Sequence, residues 1–214
     1  GHATVSWLLE HASPLVKVTI VPRGRSLGAA WYLPEERQLN STEQMLDEMC
    51  ATLGGRAAEE VIFGRITTGA LSDLEKVTKQ ARAMVAVYGL NDRLGNITYY
   101  DSSCQNEYQF DKPYSERTAE VIDEEISKLI EGQYERAKEL LTAHRAQLEQ
   151  LAQELLTREV IVRDNLVAIF GERPWQTREE RLAALQEGPA AAEPAADEDH
   201  PAEVQLDGAP SESP

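Results

Sequence analysis

Helical periodicity in the second half of the chain constrains the fold more than any other feature. Apolar residues repeat at helical spacing from about Ser115 to His144, and leucines continue the repeat from Leu148 to Leu156. Spacings of three and four residues place these side chains on one face of an α-helix. Further helices are predicted near the start of the chain, after Ser41, after Ser72 and from Arg163 to Phe170. The chain is therefore predicted to be mainly α-helical. Ser41-Thr42-Glu43-Gln44 fits a capping box. Gly54-Gly55 inside the helix that follows costs stability relative to alanine, which favours close approach of another backbone there.

A small β-hairpin or sheet is predicted near the N-terminus. Residues Leu15–Val21 alternate and are rich in β-branched side chains, as strands are. A turn at Pro22-Arg23-Gly24 separates them from a second short strand at Gly28–Leu33. Residues 90–112 look irregular, and a strand at Ile97–Tyr100 is one alternative there. The predicted fold class is a mainly α domain with a small sheet.

The charge of the chain is concentrated near its end. The net charge of the 214 residues is −16, and residues 176–214 carry ten acidic side chains against Arg178 and Arg181. This segment is also rich in Ala and Pro and nearly free of large apolar residues, so it cannot offset the entropy of ordering. We expect one domain at 1–175 and a disordered acidic tail at 176–214.

Composition excludes several classes of function. A strongly acidic chain without a basic patch does not suit nucleic acid or an anionic membrane surface. No apolar run reaches the roughly 18 to 20 residues that span a bilayer. Cys50 and Cys104 are too few for a disulfide framework or a cysteine zinc cluster. No nucleic-acid partner is expected.

The helix predicted after Ser72 begins with an acidic residue of uncertain role. Ser72 and Glu75 fit a capping box, which puts Asp73 in the first helical turn. A carboxylate there stabilises the helix dipole by about 0.3–1 kcal/mol. It could equally be a metal ligand held by the preceding loop, and the segment alone does not decide between the two.

Several short motifs are distributed along the chain from its first residue to about residue 175. They are Gly1-His2-Ala3, Pro22-Arg23-Gly24, Leu53-Gly54-Gly55-Arg56-Ala57-Ala58-Glu59-Glu60, Phe63-Gly64-Arg65, Thr67-Thr68-Gly69-Ala70-Leu71-Ser72-Asp73-Leu74, Lys112-Pro113-Tyr114-Ser115 and Phe170-Gly171-Glu172-Arg173-Pro174. Taken together, and in this order, they resemble the peptidase domain of the FtsH family, which are ATP-dependent, membrane-anchored zinc metalloproteases related to the mitochondrial AAA proteases. The acidic tail lies outside the resemblance.

The resemblance implies a Zn²⁺ site. In the family, a helical His-Glu-Ala-Gly-His motif supplies two histidine ligands and a general-base glutamate, and a distant aspartate supplies the third ligand. The second histidine falls on His2 and the aspartate on Asp73. The first histidine and the glutamate would precede Gly1, so the chain as given holds no catalytic residue and is expected to be inactive alone.

The resemblance also implies features of a longer parent protein. These are an upstream ATPase module using ATP and Mg²⁺, a membrane anchor in the bacterial inner membrane with a cytoplasmic peptidase domain, a homo-hexameric ring, and unfolded or membrane proteins as substrates. The peptidase portion itself is expected to be soluble. This chain contains no G-x-x-x-x-G-K-[ST] loop.

Two further sets of candidate site residues follow. Glu60 lies on the apolar face of its helix, so it or Glu59 is a candidate to orient His2 from behind the metal site; a surface acid is equally compatible. The small residues Gly28, Ala29 and Ala30 would let a substrate peptide add as a strand to the sheet edge. A sheet edge covered by a helix is the alternative.

Two other interpretations compete with the protease. The chain could be a non-catalytic helical module that forms rings, or a helical domain whose Gly1-His2 remains from a cleaved tag. The residues that precede Gly1 discriminate among the three, because only the protease requires His-Glu before them.

Overall fold

The computed structural model describes residues 1–22, 28–33, 39–99 and 114–175. These residues form six α-helices, one 3₁₀ turn and three strands: α1 His2–Leu8, β1 Leu15–Thr19, β2 Ala29–Tyr32, α2 Thr42–Phe63, the 3₁₀ turn Thr68–Ala70, α3 Leu71–Ala86, α4 Glu116–Ala143, α5 Arg145–Arg158, β3 Val160–Val162 and α6 Arg163–Phe170. The prediction of a mainly helical fold with a small sheet is confirmed. The tail predicted at 176–214 lies outside the described residues and stays a prediction.

The three strands form one antiparallel sheet in the order β2-β1-β3. Val18 of β1 pairs with Ala30 on one side and with Ile161 on the other. The hairpin of β1 and β2 was predicted, but β3 was not, because three residues are too few for alternation to show. Ile97–Tyr100 was also wrong as a strand: residues 97–99 form none, Tyr99 N–H donates to Ala86 O at 2.8 Å, and Tyr100 lies outside the described residues.

Helix ends follow the local sequence in α2. The side chain of Ser41 accepts a hydrogen bond from Gln44 N–H, and Oε1 of Gln44 accepts one from Ser41 N–H, which is the predicted capping box. The helix ends at Gly64, whose φ of 63° is left-handed and whose N–H donates to Glu60 O. Glycine is the residue that reaches this conformation without steric cost.

The start of α3 differs from the prediction. The helix begins at Leu71, and its N-cap is Ala70, which offers no side-chain hydrogen bond. Ser72 therefore lies inside the helix, and Asp73 is its third residue. The preceding 3₁₀ turn supplies the ordered entry that a capping serine was expected to supply.

Helix α1 lies between the large helices and the sheet layer. Five of its residues, Ala3–Trp7, are buried although it is only seven residues long. Val5 packs with residues of α2 and α4, whereas Ala3 and Trp7 pack with β1, β3, α5 and α6. Arg173 secures the end of α1, because its Nη2 donates to the carbonyls of Leu9 and Ala12 at 2.7 and 2.6 Å.

A cluster of buried apolar side chains lies between α2, α3 and α4. This cluster includes Met49, Leu53, Val77, Met84, Ile122 and Ile126. None of the helices in the described ranges combines the length and apolarity that crossing a bilayer requires.

Candidate metal centre

His2, the first residue of α1, is held against α2 by one ring nitrogen. Its Nδ1 lies 3.1 Å from the carbonyl oxygen of Ala51. A carbonyl only accepts hydrogen bonds, so Nδ1 carries the proton and, in the neutral ring, Nε2 carries a free lone pair. Metal-binding histidines are oriented in this way by a hydrogen bond at the second nitrogen.

The free nitrogen of His2 faces Asp73 on α3. Nε2 of His2 and Oδ2 of Asp73 are 3.5 Å apart, and their side chains are 39% and 30% exposed. Two ligands about 2.1 Å from one tetrahedral zinc ion lie about 3.4 Å apart. The fold therefore brings together the two residues predicted as metal ligands, at the spacing that one ion requires.

These two donors are the extent of the cluster in the part of the chain that the structure describes. No group of three or more His, Cys, Asp or Glu residues within it is placed to share a metal ion. The pair fits zinc by its chemistry, since an imidazole and a carboxylate are both common zinc ligands, but a structural zinc site needs four ligands.

Asp73 is positioned by the loop that precedes its helix. The carboxylate of Glu59 on α2 accepts hydrogen bonds from Thr67 N–H at 2.9 Å and from its hydroxyl at 2.8 Å. Thr67 Oγ1 in turn accepts from Gly69 N–H at 3.3 Å and caps the 3₁₀ turn. Glu59 thus ties α2 to the turn that leads directly into α3.

Glu60 points toward α4. Its carboxylate accepts hydrogen bonds from the Tyr134 hydroxyl at 2.5 Å and from Lys138 Nζ at 3.3 Å. These bonds, that from Tyr134 first, lower the pKa of Glu60. Burial and the neighbouring Glu60 raise the pKa of Tyr134 to about 12. The His2 ring donates its hydrogen bond to the Ala51 carbonyl. The predicted role of Glu59 or Glu60 in orienting His2 from behind the metal site stays a prediction.

An open groove runs from the His2–Asp73 pair to β2. It is lined on the sheet side by Gly28, Ala29, Ala30 and Tyr32. Among the described strands β2 is an edge of the sheet, so the predicted strand-binding residues lie beside the predicted metal ligands.

Sequence reasoning missed Tyr32 and Ser6 in this groove. The two hydroxyl groups lie 3.4 Å apart, and burial raises the pKa of Tyr32, so its hydroxyl stays protonated near neutral pH. Both belong to short elements with no motif of their own. The one local signal for Tyr32 was the aromatic pair Trp31-Tyr32 that follows the small residues 28–30.

Comparison with known proteins agrees with this geometry. The family model described as Peptidase family M41 matches residues 1–169. The ATP-dependent zinc metalloprotease FtsH of Parabacteroides distasonis is 60% identical over 187 residues, which are 87% of this chain and 27% of that protein. FtsH of Karelsulcia muelleri is 51% identical over 79% of this chain and 27% of its own length.

A mitochondrial relative is also similar. The mitochondrial inner membrane m-AAA protease component AFG3L2 of Mus musculus is 49% identical over 175 residues, 82% of this chain and 22% of that protein. The matches place the chain in the class of zinc metalloproteases. It belongs to peptidase family M41, the FtsH family. The chain spans about a quarter of the length of these curated relatives.

Proposed function

We propose that this chain is the proteolytic portion of an ATP-dependent zinc metalloendopeptidase, and that His2 and Asp73 are two of its zinc ligands. The observation that carries the proposal is the 3.5 Å separation of His2 Nε2 and Asp73 Oδ2, with Nδ1 of the same ring bonded to Ala51 O. An accidental surface pair would not need the second nitrogen to be fixed by a backbone carbonyl.

Each residue of the pair has a defined task in the proposal. His2 offers its Nε2 lone pair, and the Ala51 carbonyl holds the proton on Nδ1. Asp73 offers one carboxylate oxygen from the first turn of α3. When bound, zinc lowers the pKa of a coordinated water to about 7 and polarises the scissile carbonyl.

The general base lies elsewhere in the proposed enzyme. In the family motif the first histidine and the glutamate precede the second histidine by four and three residues, which places them before Gly1. The proposal therefore assigns proton removal from water to a segment that precedes this chain in the whole protein. General-base catalysis is typically worth about 10²–10⁴-fold in rate.

The groove supplies a place for the substrate. An extended peptide that pairs with the edge of β2 would bond through its main chain, largely independently of its sequence. The small side chains of Ala29 and Ala30 leave the edge accessible. Such binding suits an enzyme that degrades unfolded or membrane proteins.

The remaining features of the parent enzyme are proposed from its relatives. Their names describe ATP-dependent and inner-membrane proteases. We infer that an ATPase module with ATP and Mg²⁺ and a membrane anchor belong to the same parent protein, with the peptidase portion on the cytoplasmic side of a bacterial inner membrane, and that it assembles as a homo-hexamer.

The zinc pair can be tested in this chain directly. Zn²⁺ is titrated while the imidazole ¹⁵N signals of His2 are followed by NMR, in the unmodified chain and in Asp73→Asn. We expect Zn²⁺ to shift the Nε2 signal of His2. The affinity for Zn²⁺ should be at least about tenfold weaker in Asp73→Asn, because loss of a group that only hydrogen-bonds to a metal ligand already lowers metal affinity about 10–100-fold. His144→Gln is the control, because its Nδ1 bonds only the Leu140 carbonyl of its own helix.

Two results would contradict the proposal. The first is a His2 signal that ignores Zn²⁺, and the second is equal affinity in the unmodified chain and Asp73→Asn. Self-association without either zinc response would instead favour the non-catalytic ring-forming module.

A further inference from the structure

Two adjacent glycines in the middle of α2 meet α1 in different ways. A Cβ atom added to Gly54 would lie 3.0 Å from Val5 Cγ2 and 3.1 Å from the carbonyl oxygen of Gly1. A Cβ atom added to Gly1 would lie 2.1 Å from the carbonyl oxygen of Gly54. Gly54 and Gly1 are therefore the positions where the backbones of α1 and α2 touch.

Gly55 makes room for a side chain instead. A Cβ atom added there would lie 2.4 Å from Nε2 of His2 and 2.7 Å from its Cε1. The imidazole occupies the space into which a side chain at position 55 would project. Glycine inside a helix costs about 1 kcal/mol relative to alanine, so its presence in α2 is unfavourable for the helix itself.

The same turn of α2 also holds the other side of the ring. Ala51, whose carbonyl bonds Nδ1 of His2, stands four residues before Gly55 and so on the same face of the helix. One residue supplies an acceptor for Nδ1 and the other supplies space for Nε2. Together they accommodate the ring in the orientation in which Nε2 faces Asp73.

We propose that Gly55 is a positioning residue for the metal ligand His2, because its missing side chain lets the imidazole lie against α2 with Nε2 directed at Asp73. The proposal extends the proposed function, since it takes His2 as a zinc ligand. Its structural part, the coupling between position 55 and the imidazole, needs no metal.

The geometry determines how the protein would respond to alanine at each glycine. At Gly55 the obstructing atoms are the far end of one side chain, so rotation of the imidazole relieves the clash while the helices stay in place. Rotation breaks the bond to Ala51 and moves Nε2 away from Asp73. At Gly54 the neighbours include backbone of α1, which moves only with its helix.

The first experiment compares Gly55→Ala with Gly132→Ala, a matched control. Gly132 is inside α4, and an added Cβ there meets nothing within 4 Å. We expect both variants to fold. Gly55→Ala should lose the hydrogen-bonded Nδ1–H signal of His2 and bind Zn²⁺ at least about tenfold more weakly, as loss of a ligand-orienting contact does. Gly132→Ala should keep both and raise the urea midpoint, because alanine favours the helix.

The second experiment is a double-mutant cycle without metal. The His2→Ala substitution removes the ring and frees the space at position 55. In that background, Gly55→Ala should raise the urea midpoint, because alanine favours the helix. The increase should equal the one that Gly132→Ala causes in the unmodified chain. In the unmodified chain, Gly55→Ala should raise the midpoint less or lower it. This difference measures the contact between the two positions.

The outcomes separate the two proposals. An unchanged Nδ1–H signal in Gly55→Ala, or an equal effect of Gly55→Ala with and without the imidazole, would overturn the positioning role. Absence of Zn²⁺ binding in every variant would overturn the proposed function, and the cycle would then still decide whether Gly55 positions His2.

Discussion

Helix α2 meets α1 through small residues and meets α3 and α4 through large ones. Toward α1 it presents Gly54, which approaches the backbone of Gly1, and Gly55, which leaves room for the His2 imidazole. Toward α3 and α4 it presents Met49 and Leu53, at most 1% exposed. At the two glycines no side chain of α2 separates the helices, so the neighbouring groups have little room to shift. Large side chains bury the surface that stabilises the fold, at about 25 cal/mol per Å².

The stability of this domain therefore depends mainly on the side of α2 that faces α3 and α4, whereas the position of His2 depends on the side that faces α1. His2 of the candidate metal centre lies on the α1 side, on helix α1 itself, which is too short to be stable alone. The core lies on the other side of the same helix. Substitutions on the two sides should therefore affect different measurements.

The largest expected effect is that of Met49→Ala on the core side. Truncating a fully buried methionine costs about 2–5 kcal/mol through lost transfer energy and the cavity left behind. Urea unfolding should report this loss, while the native protein keeps the His2 imidazole signals unchanged. The control is Leu156→Ala, 70% exposed, which should change stability by less than about 0.5 kcal/mol. Similar losses in both variants would contradict the assignment of stability to this side.

A smaller effect is expected for Asp47→Ala, because Asp47 links the two sides. This residue is 4% exposed, and its carboxylate accepts from His11 N–H at 2.9 Å, just beyond α1, and from Arg136 Nη1 of α4 at 2.8 Å. Removal leaves the His11 N–H without that acceptor, at a cost of about 1–3 kcal/mol. Asp47→Asn keeps an amide oxygen as acceptor and should lose less. A larger loss in Asp47→Asn than in Asp47→Ala would refute the linking role.

The smallest effect concerns pH and the thiol of Cys50, which is fully buried where α2 packs against α1 and α4. Burial raises the pKa of this thiol from 9.0 to about 12. Above pH 9 the unfolded chain loses a proton that the native state keeps, so stability falls as pH rises. At pH 10 the loss is about 1 kcal/mol relative to pH 8.

Cys50→Ala is the comparison for that prediction. It should lose the cysteine part of the alkaline decline and keep the part that Tyr134, whose pKa is also raised to about 12, contributes. Identical pH profiles for the two proteins would show that the Cys50 thiol ionises freely in the folded state.

Much of the secondary structure could be predicted from local sequence. The predicted ends of α4 and α6 came within one residue of the observed ones, and the Ser41 capping box was recognised from its spacing. For α5 the apolar repeat predicted the helix but not its first turn, which begins at Arg145. Local signals failed where tertiary contacts decide the backbone. Val160–Val162 is a strand because β1 lies beside it, and α3 begins at Leu71 because a 3₁₀ turn tied to Glu59 leads into it.

The candidate site divides in the same way. His2 and Asp73 were identified through a resemblance that spans several motifs. The hydrogen-bond acceptor of the His2 ring is the carbonyl of Ala51, and no side-chain motif marks a backbone oxygen. Glu60 lies on the apolar face of α2 because that face packs against α4, where Tyr134 and Lys138 donate hydrogen bonds to its carboxylate.

Most helices and the hairpin could be derived from the amino-acid sequence alone, because helical spacing and alternation are properties of neighbouring residues. The candidate ligands His2 and Asp73 came from the resemblance of several motifs to one family. The sequence also marked Gly54-Gly55 as a costly pair inside a helix. The tertiary structure was needed to show which group lies against each glycine: the backbone of Gly1 at Gly54, and the His2 imidazole at Gly55. The physical reason is that excluded volume between distant segments exists only once α1 is packed on α2.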